Sequence, residues 1–255
     1  MVLAIDFGHS HVKIIQAESS SDGLIIKNAN CKPIANDMNT FNPEEIGKSQ
    51  WVATIQDMCK EMNINPKKIK NLVTGLSGHL ISVKQLTTLE MEAEDLAASL
   101  EFEAKKHIPL DGTEAILDYH IIGQNKEELD KNDVLLIATT KNTVMKHDEI
   151  IKSAGFKTGI FDADAISLSN AYLGVNDLPE EGVDVIINIG NSTTTLLCWG
   201  KNHRFFAREL DIAGHHFTQA TMKSQNTDYN SAEEIKKDRG IKAADSSNNK
   251  ESEDF

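Results

Sequence analysis

The feature that most constrains this chain is an internal repeat of a strand-and-turn motif. Ile5-Asp6-Phe7-Gly8-His9-Ser10 recurs as Ile187-Asn188-Ile189-Gly190-Asn191-Ser192. Each copy ends a buried strand, turns at Gly-x-Ser and enters a second strand, and turn signals then predict a third. The residues from 183 to 189 form the most apolar strand of the chain. The repeat therefore predicts two lobes, each opening with the same three-strand meander.

Each turn of the repeat has the chemistry of a phosphate clamp. Gly8 and Gly190 let the backbone approach an anion, and the turn N–H groups with the hydroxyls of Ser10 and Ser192 can donate to it. The carboxylate of Asp6 can hold Mg²⁺ through water. One such motif alone is usually only a hairpin. Two copies of the motif, each followed by the same order of elements, favour a site in which the two turns bind a polyphosphate from opposite sides.

Between and after the repeats, local patterns predict helices and an inserted unit. Apolar spacing over residues 42–62 predicts a helix, and the block 79–158 reads as strand–helix–strand–strand–helix. Capping boxes predict helix starts at Thr-Thr-Leu-Glu, 87–90, and at Ser-Ala-Glu-Glu, 231–234. The Asp-Ala-Asp run at 162–164 favours a helix N-cap over a metal pair.

Together these patterns predict an α/β fold with an α+β insertion. The predicted division of the chain is a first lobe at 1–78 and 159–176, an inserted interaction subdomain at 79–158, a second lobe at 177–240, and a disordered acidic tail at 241–255.

Charge and cysteine content exclude several classes of protein. Lys and Arg number 26 against 39 Asp and Glu, a net charge of −13, which argues against nucleic-acid binding but not against a nucleotide held by N–H groups and Mg²⁺. Three cysteines without shared ligand spacing indicate free thiols in a reducing compartment. The chain has no apolar run of about 20 residues and no basic N-terminal leader pattern. These features predict a cytoplasmic protein.

Two further stretches carry a resemblance to a known family. The first is Leu100-Glu101-Phe102-Glu103-Ala104-Lys105-Lys106-His107-Ile108-Pro109-Leu110, followed by Leu117-Asp118-Tyr119. The second is Ala213-Gly214-His215-His216-Phe217-Thr218, followed by Ala232-Glu233-Glu234-Ile235-Lys236-Lys237 and Gly240. With the paired hairpins, they resemble the type IV pilus assembly protein PilM family of the actin-like ATPase superfamily, with FtsA as the next relative. The resemblance covers residues 1–240.

The resemblance implies actin-like, ribonuclease-H-like duplicated lobes with an SHS2-type insertion used for contacts between proteins. It also implies an ATP and Mg²⁺ site, with Asp6 at the metal. The residues of that site are Asp6, Gly8, His9, Ser10, Lys13, Asn188, Gly190, Asn191, Ser192, Thr193, Gly214, Glu233, Lys236 and Lys237. The last three match positions that approach ribose and adenine in the superfamily. Their spacing alone favours paired charges on a solvated helix face.

The sequence also departs from the family pattern. Asn188 stands where the family usually has Asp, and there is no glycine after Gly240 where the family has a glycine-rich adenosine loop. These departures predict a truncated second lobe and an incomplete nucleotide site, and no residue is assigned a catalytic role.

The implied function is that of a scaffold in type IV pilus biogenesis. By resemblance it lies at the inner face of the inner membrane, binds the N-terminal cytoplasmic segment of PilN and other pilus assembly proteins, and reaches the membrane only through partners. Whether it forms a homo-oligomer is left open. The alternatives are an active actin-like ATPase or kinase, or an FtsA-like filament. The filament is less favoured because residues 243–255 lack the apolar face of a membrane-binding helix.

Overall fold

The computed structural model describes residues 1–21, 23–35, 46–78, 81–108 and 112–239. Their strands are β1 Val2–Phe7, β2 His11–Ser20, β3 Gly23–Pro33, β4 Leu72–Leu76, β5 Ile81–Leu89, β6 Ala115–Gln124, β7 Lys131–Thr140, β8 Ile160–Ala163, β9 Asp184–Ile189, β10 Thr194–Gly200 and β11 His203–Leu210. Their helices are α1 Lys48–Glu61, α2 Ala93–Ala104, α3 Lys141–Ser153, α4 Asp164–Leu173, α5 Gly214–Gln225 and α6 Tyr229–Arg239. No helix in these ranges combines the length and the apolar character needed to cross a membrane.

The first lobe is a five-stranded sheet in the order β3-β2-β1-β4-β8. β1 runs antiparallel to β2 and parallel to β4, which in turn runs parallel to β8. Helix α1 buries Ile55, Met58 and Cys59, whose spacing places them on one face of the helix. This face packs with Leu3 and Ile5 of β1 in the largest core cluster. Residues 42–45, the first of the helix predicted over 42–62, lie outside the described residues.

The second lobe repeats the meander of the first. Its sheet has the order β11-β10-β9, with both pairings antiparallel. In the first lobe the pair Phe7–Val12 closes a four-residue turn, and in the second lobe Ile189–Thr194 closes the equivalent turn. The predicted α/β class and the duplicated meander are confirmed. The prediction that both copies end a buried strand is wrong for the second copy, because Ile187 is 60% exposed.

The inserted unit is a three-stranded sheet in the order β5-β7-β6, covered on one face by α2. Leu96, Leu100 and Ala104 of α2 pack against Val134 and Leu136 of β7. Helix α3 also falls within the predicted block 79–158, but its buried residues pack into the core of the first lobe. We therefore use "the insertion" for β5, α2, β6 and β7. The boundaries of the predicted subdomains stay a prediction.

A shared core joins the insertion to both lobes. Val83 of β5, Ala165 of α4, and Leu197 and Trp199 of β10 belong to one buried cluster. The Gln85 side chain also accepts a hydrogen bond from the Phe205 N–H at 2.7 Å. The insertion therefore contacts both lobes.

Both predicted capping boxes are wrong, since longer-range partners decide where these helices begin. Residues 87–89 continue β5 because they pair with β7, where Thr88 lies opposite Asn132, and α2 begins only at Ala93. Helix α6 begins at Tyr229, two residues before the predicted cap. Asp228 accepts a hydrogen bond from the Ser231 N–H at 3.1 Å and so takes the capping role. The predicted acidic tail lies outside the described residues.

Candidate functional site

The two turns of the repeat need glycine for the same geometric reason. A Cβ atom on Gly8 would lie 2.5 Å from the carbonyl oxygen of His11, and one on Gly190 would lie 2.8 Å from that of Thr193. The Gly190 N–H also donates to the Thr193 oxygen at 3.0 Å. Any side chain at either glycine would push the turn open. Both predicted loops are thus tight turns in which the glycine lies close to the carbonyl oxygen three residues later.

The turns offer hydrogen-bond donors that fit a phosphate group. The backbone N–H groups of His9, Ser10, Asn191 and Ser192 make no backbone hydrogen bond within the described part of the chain. The Ser10 hydroxyl lies 2.9 Å from His11 Nδ1. Free N–H groups at a narrow turn, with hydroxyls beside them, form an anion-binding concavity. The residues present therefore fit the phosphates of a nucleotide.

The charges around the first turn are balanced. The Lys13 ammonium donates to Asp6 Oδ2 at 2.7 Å, and both side chains are about half exposed, so water or a ligand can replace either partner. The equivalent position in the second turn is Asn188, which is neutral. Among the described residues, no three or more His, Cys, Asp or Glu side chains group as a metal site. The residues thus fit a Mg²⁺ that reaches Asp6 through water and is held chiefly by phosphate oxygens.

The histidines of the first turn add little positive charge at neutral pH. Burial lowers the pKa of His9, with Asp6 acting in the opposite direction. Burial also lowers the pKa of His11, and the positive charges of Lys13 and Lys237 lower it further. Glu233 acts in the opposite direction on this pKa, so the two charges of α6 partly cancel at His11.

The N-terminus of α5 is bound to the second turn itself. The N–H groups of Gly214 and His215 donate to the carbonyl oxygens of Gly190 and Asn191 at 3.0 and 2.8 Å. A Cβ atom on Gly214 would lie 3.1 Å from the Gly190 oxygen, which explains why glycine begins this helix. These two N–H groups are therefore already used, and the donors left for an anion are those of the turns.

The three charged residues of α6 are mutually paired. Lys236 Nζ lies 2.6 Å from Glu233 and donates to the Thr218 hydroxyl at 2.9 Å and to the Gly214 oxygen at 3.2 Å. Burial would raise the pKa of Glu233, but hydrogen bonds from Lys236 and Thr218 outweigh it and lower that pKa. Lys237 lies 3.5 Å from Glu233 and is largely exposed. The structure thus contains the charge pairs that the spacing of Glu233, Lys236 and Lys237 favours. Contact of these residues with ribose or adenine stays a prediction.

The start of α4 differs from its predicted role as a simple cap. Asp162 does support the helix start, since it accepts hydrogen bonds from the Ala163 N–H at 2.9 Å and the Ser167 hydroxyl at 2.8 Å. Asp164, by contrast, is the first residue of the helix, and its carboxylate lies against Gly75. Its Oδ1 lies where a Cβ of Gly75 would be, at 1.9 Å, so the glycine makes room for the carboxylate.

Asp164 is the functional candidate that sequence reasoning missed. Burial, together with the negative charges of Asp6, Glu209 and Asp162, raises its pKa to about 7. Perturbed acids of this kind cluster at functional sites. The one sequence signal for this site is Gly75. A glycine inside a strand often marks a place where another group comes close to the backbone.

A cavity of about 250 Å³ lies where the insertion meets both lobes. It is lined in part by Leu76, Ile81, Val83, His107, Asp164 and Glu209. The Oε2 atom of Glu209 is buried and has no hydrogen-bond partner in the described part of the chain. A buried carboxylate oxygen without a donor is costly, so a positive charge placed close to Glu209 would lower that cost.

Comparison with known proteins gives one family and several similar folds. The model of the family described as type IV pilus assembly protein PilM matches residues 4–247. A structure of the PilM-PilN type IV pilus biogenesis complex matches with a TM-score of 0.74 at 21% identity, covering 94% of this chain and 70% of that chain. This match shows that the chain shares the α/β fold of that structure, as the resemblance implied.

Two further structures show weaker likeness. The ethanolamine utilization protein EutJ from Carboxydothermus hydrogenoformans matches with a TM-score of 0.49 at 12% identity, covering 93% of this chain and 61% of that one. MreB5 of Spiroplasma citri bound to ADP matches with a TM-score of 0.45 at 14% identity, covering 92% and 61%.

Proposed function

Because the chain belongs to the PilM family of type IV pilus assembly proteins, we propose that it is a scaffold that binds the N-terminal cytoplasmic segment of a PilN-type protein. It acts at the inner face of the inner membrane, reaches the membrane through its partners, and links the membrane platform to the motor. The match to a PilM-PilN complex supports this choice of partner.

The observation that carries the proposal is the cavity beside the insertion. Its walls come from three units, so an extended segment placed there contacts the insertion and both lobes together. Ile81 and Val83 offer apolar contacts on one side, and the carboxylate-bearing Glu209 lines another. A short peptide with an apolar anchor and a backbone N–H or basic side chain satisfies both walls.

ATP with Mg²⁺ is proposed as a structural ligand of the same scaffold. Ser10 and Ser192, with the turn N–H groups, would hold its phosphates, and Asp6 would hold the hydrated metal. The polyphosphate would supply negative charge that both turns bind, which ties the lobes together. We do not propose turnover, because Asn188 carries no charge to orient an attacking water.

Calorimetric titration of the full chain with a synthetic PilN N-terminal peptide tests the proposal. The wild type is expected to bind. Glu209→Gln and Glu209→Lys are expected to weaken binding by about tenfold or more, because Gln removes the negative charge and replaces one carboxylate oxygen with a donor, and Lys removes both oxygens. Glu234→Lys changes the same charge on the exposed surface of α6 and is expected to bind like the wild type.

Circular dichroism establishes that each variant is folded before the titration. A folded wild-type chain that does not bind the peptide contradicts the proposal. Equal weakening by Glu209→Lys and Glu234→Lys would place the binding site elsewhere.

A further inference from the structure

A group of lysine side chains lies at one end of the first lobe. The chain is acidic overall, with a net charge of −13. Residues 60–70 and the turn after α3 nevertheless present five exposed lysines, which are Lys60, Lys67, Lys68, Lys70 and Lys157. We call the surface that these five side chains form the basic surface.

The lysines of the basic surface have no acidic partner within the described ranges. The acids of α1 near them, Asp57 and Glu61, both pair with Lys32 instead. A helix dipole favours a positive charge in the last turn of a helix, and of the five lysines only Lys60 lies in the last turn of α1 or α3. Stabilisation of helix ends therefore accounts for one of the five positive charges and not for the others.

The two lysine-bearing segments touch, so their lysines belong to one surface. A Cβ atom on Gly155, in the turn after α3, would lie 3.5 Å from the Cβ atom of Pro66. Close to this point, the Gln56 side chain of α1 donates a hydrogen bond to the Ser153 oxygen at 3.2 Å. These contacts hold the ends of α1 and α3 against the turn at 66–68.

A cavity of about 520 Å³ lies within the basic surface. Its lining includes the apolar residues Cys59, Ile64 and Pro66 and the charged residues Lys60 and Lys67. Cys59 and Ile64 also pack in the core of the first lobe, so the cavity is backed by a fixed wall. Its volume falls in the range of about 300–1,000 Å³ that is typical of ligand pockets. It is therefore large enough for apolar side chains of a partner.

The basic surface lies at the opposite edge of the first sheet from the sites described above. β1, β4 and β8 are parallel, so their N-terminal ends lie at the same edge. Lys70 precedes β4 and Lys157 precedes β8 at that edge. The first turn follows the other end of β1, and Asp164 follows the other end of β8. A ligand on the basic surface therefore leaves the turns and the cavity beside the insertion open.

We propose that the basic surface binds an acidic segment of a partner protein, with carboxylates paired to Lys60 and Lys67 and an apolar side chain in the cavity beside them. Charge complementarity supports this occupant, because the rest of an acidic chain repels an acidic segment while five unpaired lysines attract it. The apolar lining between the charges supports it as well, since it rewards a segment that brings an apolar anchor.

The surroundings of the lysines favour a protein segment over a membrane. Surfaces that bind lipid headgroups usually present exposed aromatic or other large apolar side chains beside their positive charges. Residues 60–70 contain no aromatic residue, and Phe156, next to Lys157, is only 4% exposed. The apolar groups of this surface instead line a concave cavity, into which a side chain fits and a flat bilayer does not.

Selection of short random peptides, displayed on phage, on the full chain tests the proposal. The selected peptides are expected to combine Asp or Glu with a Leu, Ile or Phe. Synthetic copies should bind the wild type at least about tenfold more tightly than Lys60→Glu/Lys67→Glu in fluorescence polarisation. Binding should weaken when salt is raised, and also when the apolar residue of the peptide is replaced by Ser.

The matched control is Lys146→Glu/Lys223→Glu, which makes the same change of charge at two exposed lysines on α3 and α5 outside the basic surface. This variant is expected to bind the peptides like the wild type. Circular dichroism and Trp51 fluorescence establish that both variants are folded.

Selection that yields no acidic peptides overturns the proposal, as do acidic peptides that bind Lys60→Glu/Lys67→Glu as tightly as the wild type. It is also overturned if vesicles of equal parts phosphatidylcholine and phosphatidylglycerol bind the chain and displace the peptides, because the surface would then be a lipid-binding one. None of these outcomes involves the PilN peptide or Glu209, so this proposal and the proposed function fail separately.

Discussion

Truncating the equivalent isoleucines of the repeat to alanine is expected to have very different effects on stability. Ile5→Ala removes a side chain that is 2% exposed in the core of the first lobe, whereas Ile187→Ala removes one that is 60% exposed. The two substitutions are chemically identical and occupy the same position in the same motif. Their comparison therefore isolates burial as the cause.

The burial of each side chain sets the expected magnitude. Deleting a buried isoleucine to alanine costs about 2–5 kcal/mol, because transfer free energy is lost and a cavity is left. Ile187 keeps more than half of its surface in water, so its loss is expected to cost roughly 1 kcal/mol or less. The expected difference in the free energy of unfolding is thus about 1–4 kcal/mol.

The two tryptophans of the chain allow two cores to be followed separately during urea unfolding. Trp51 packs edge-on against Phe7 in the first lobe, at a ring distance of 6.5 Å. Trp199 lies in the second lobe between Tyr172 and Phe205, at 5.7 and 5.8 Å. Of the single-tryptophan versions, made with Phe at the other position, one reports the first-lobe core through Trp51 and the other reports the core that β10 shares with the insertion and α4 through Trp199.

The measurement is made at low protein concentration. Ile5→Ala is expected to lower the Trp51 transition midpoint strongly, and Ile187→Ala to shift the Trp199 midpoint only slightly. Equal losses for both variants would refute the reasoning, because they would mean that β9 is as well covered as β1.

Three further predictions concern single side chains. Lys236→Met is expected to cost about 1–3 kcal/mol, because it leaves a half-buried carboxylate short of a partner, while Lys237→Met should change stability by less than about 0.5 kcal/mol in the same denaturation assay. Burial, with nearby carboxylates, raises the pKa of Asp164 to about 7, so the folded chain binds a proton that the unfolded chain releases. The contribution of Asp164 to stability should therefore fall as pH rises from 3.8 to about 7, so the melting temperature of the wild type relative to that of Asp164→Asn should fall over this range. Burial raises the pKa of the Cys59 thiol to about 11, so a disulfide reagent at neutral pH should label the exposed Cys31 and reach Cys59 only on unfolding.

Local signals in the sequence were sufficient for the turns and for several helix ends. Gly8 and Gly190 mark tight turns because the path itself excludes a Cβ atom, and that requirement is visible in the repeat. Gly155 ends α3 with a φ of +105°, as glycine at a helix C-terminus indicates. The start of α5 at Gly214 was also predictable from the motif.

Contacts between distant segments account for what the sequence did not reveal. The capping-box pattern at 87–90 is overridden by the β5–β7 ladder, which only the folded insertion supplies. Asp164 resembles a helix cap until Gly75 and Glu209 are brought next to it from other strands. The exposure of Ile187 was likewise hidden, because its apolar pattern matches that of the buried strand β1.

Hydrogen exchange of the full chain, with and without the PilN N-terminal peptide, tests the scaffold proposal most directly. The account predicts slower exchange on binding in β5 and β11, whose residues line the cavity between the insertion and the lobes. The β2–β3 hairpin, on the far side of the first sheet, should be unchanged. No change anywhere, or protection confined to that hairpin, would contradict the account.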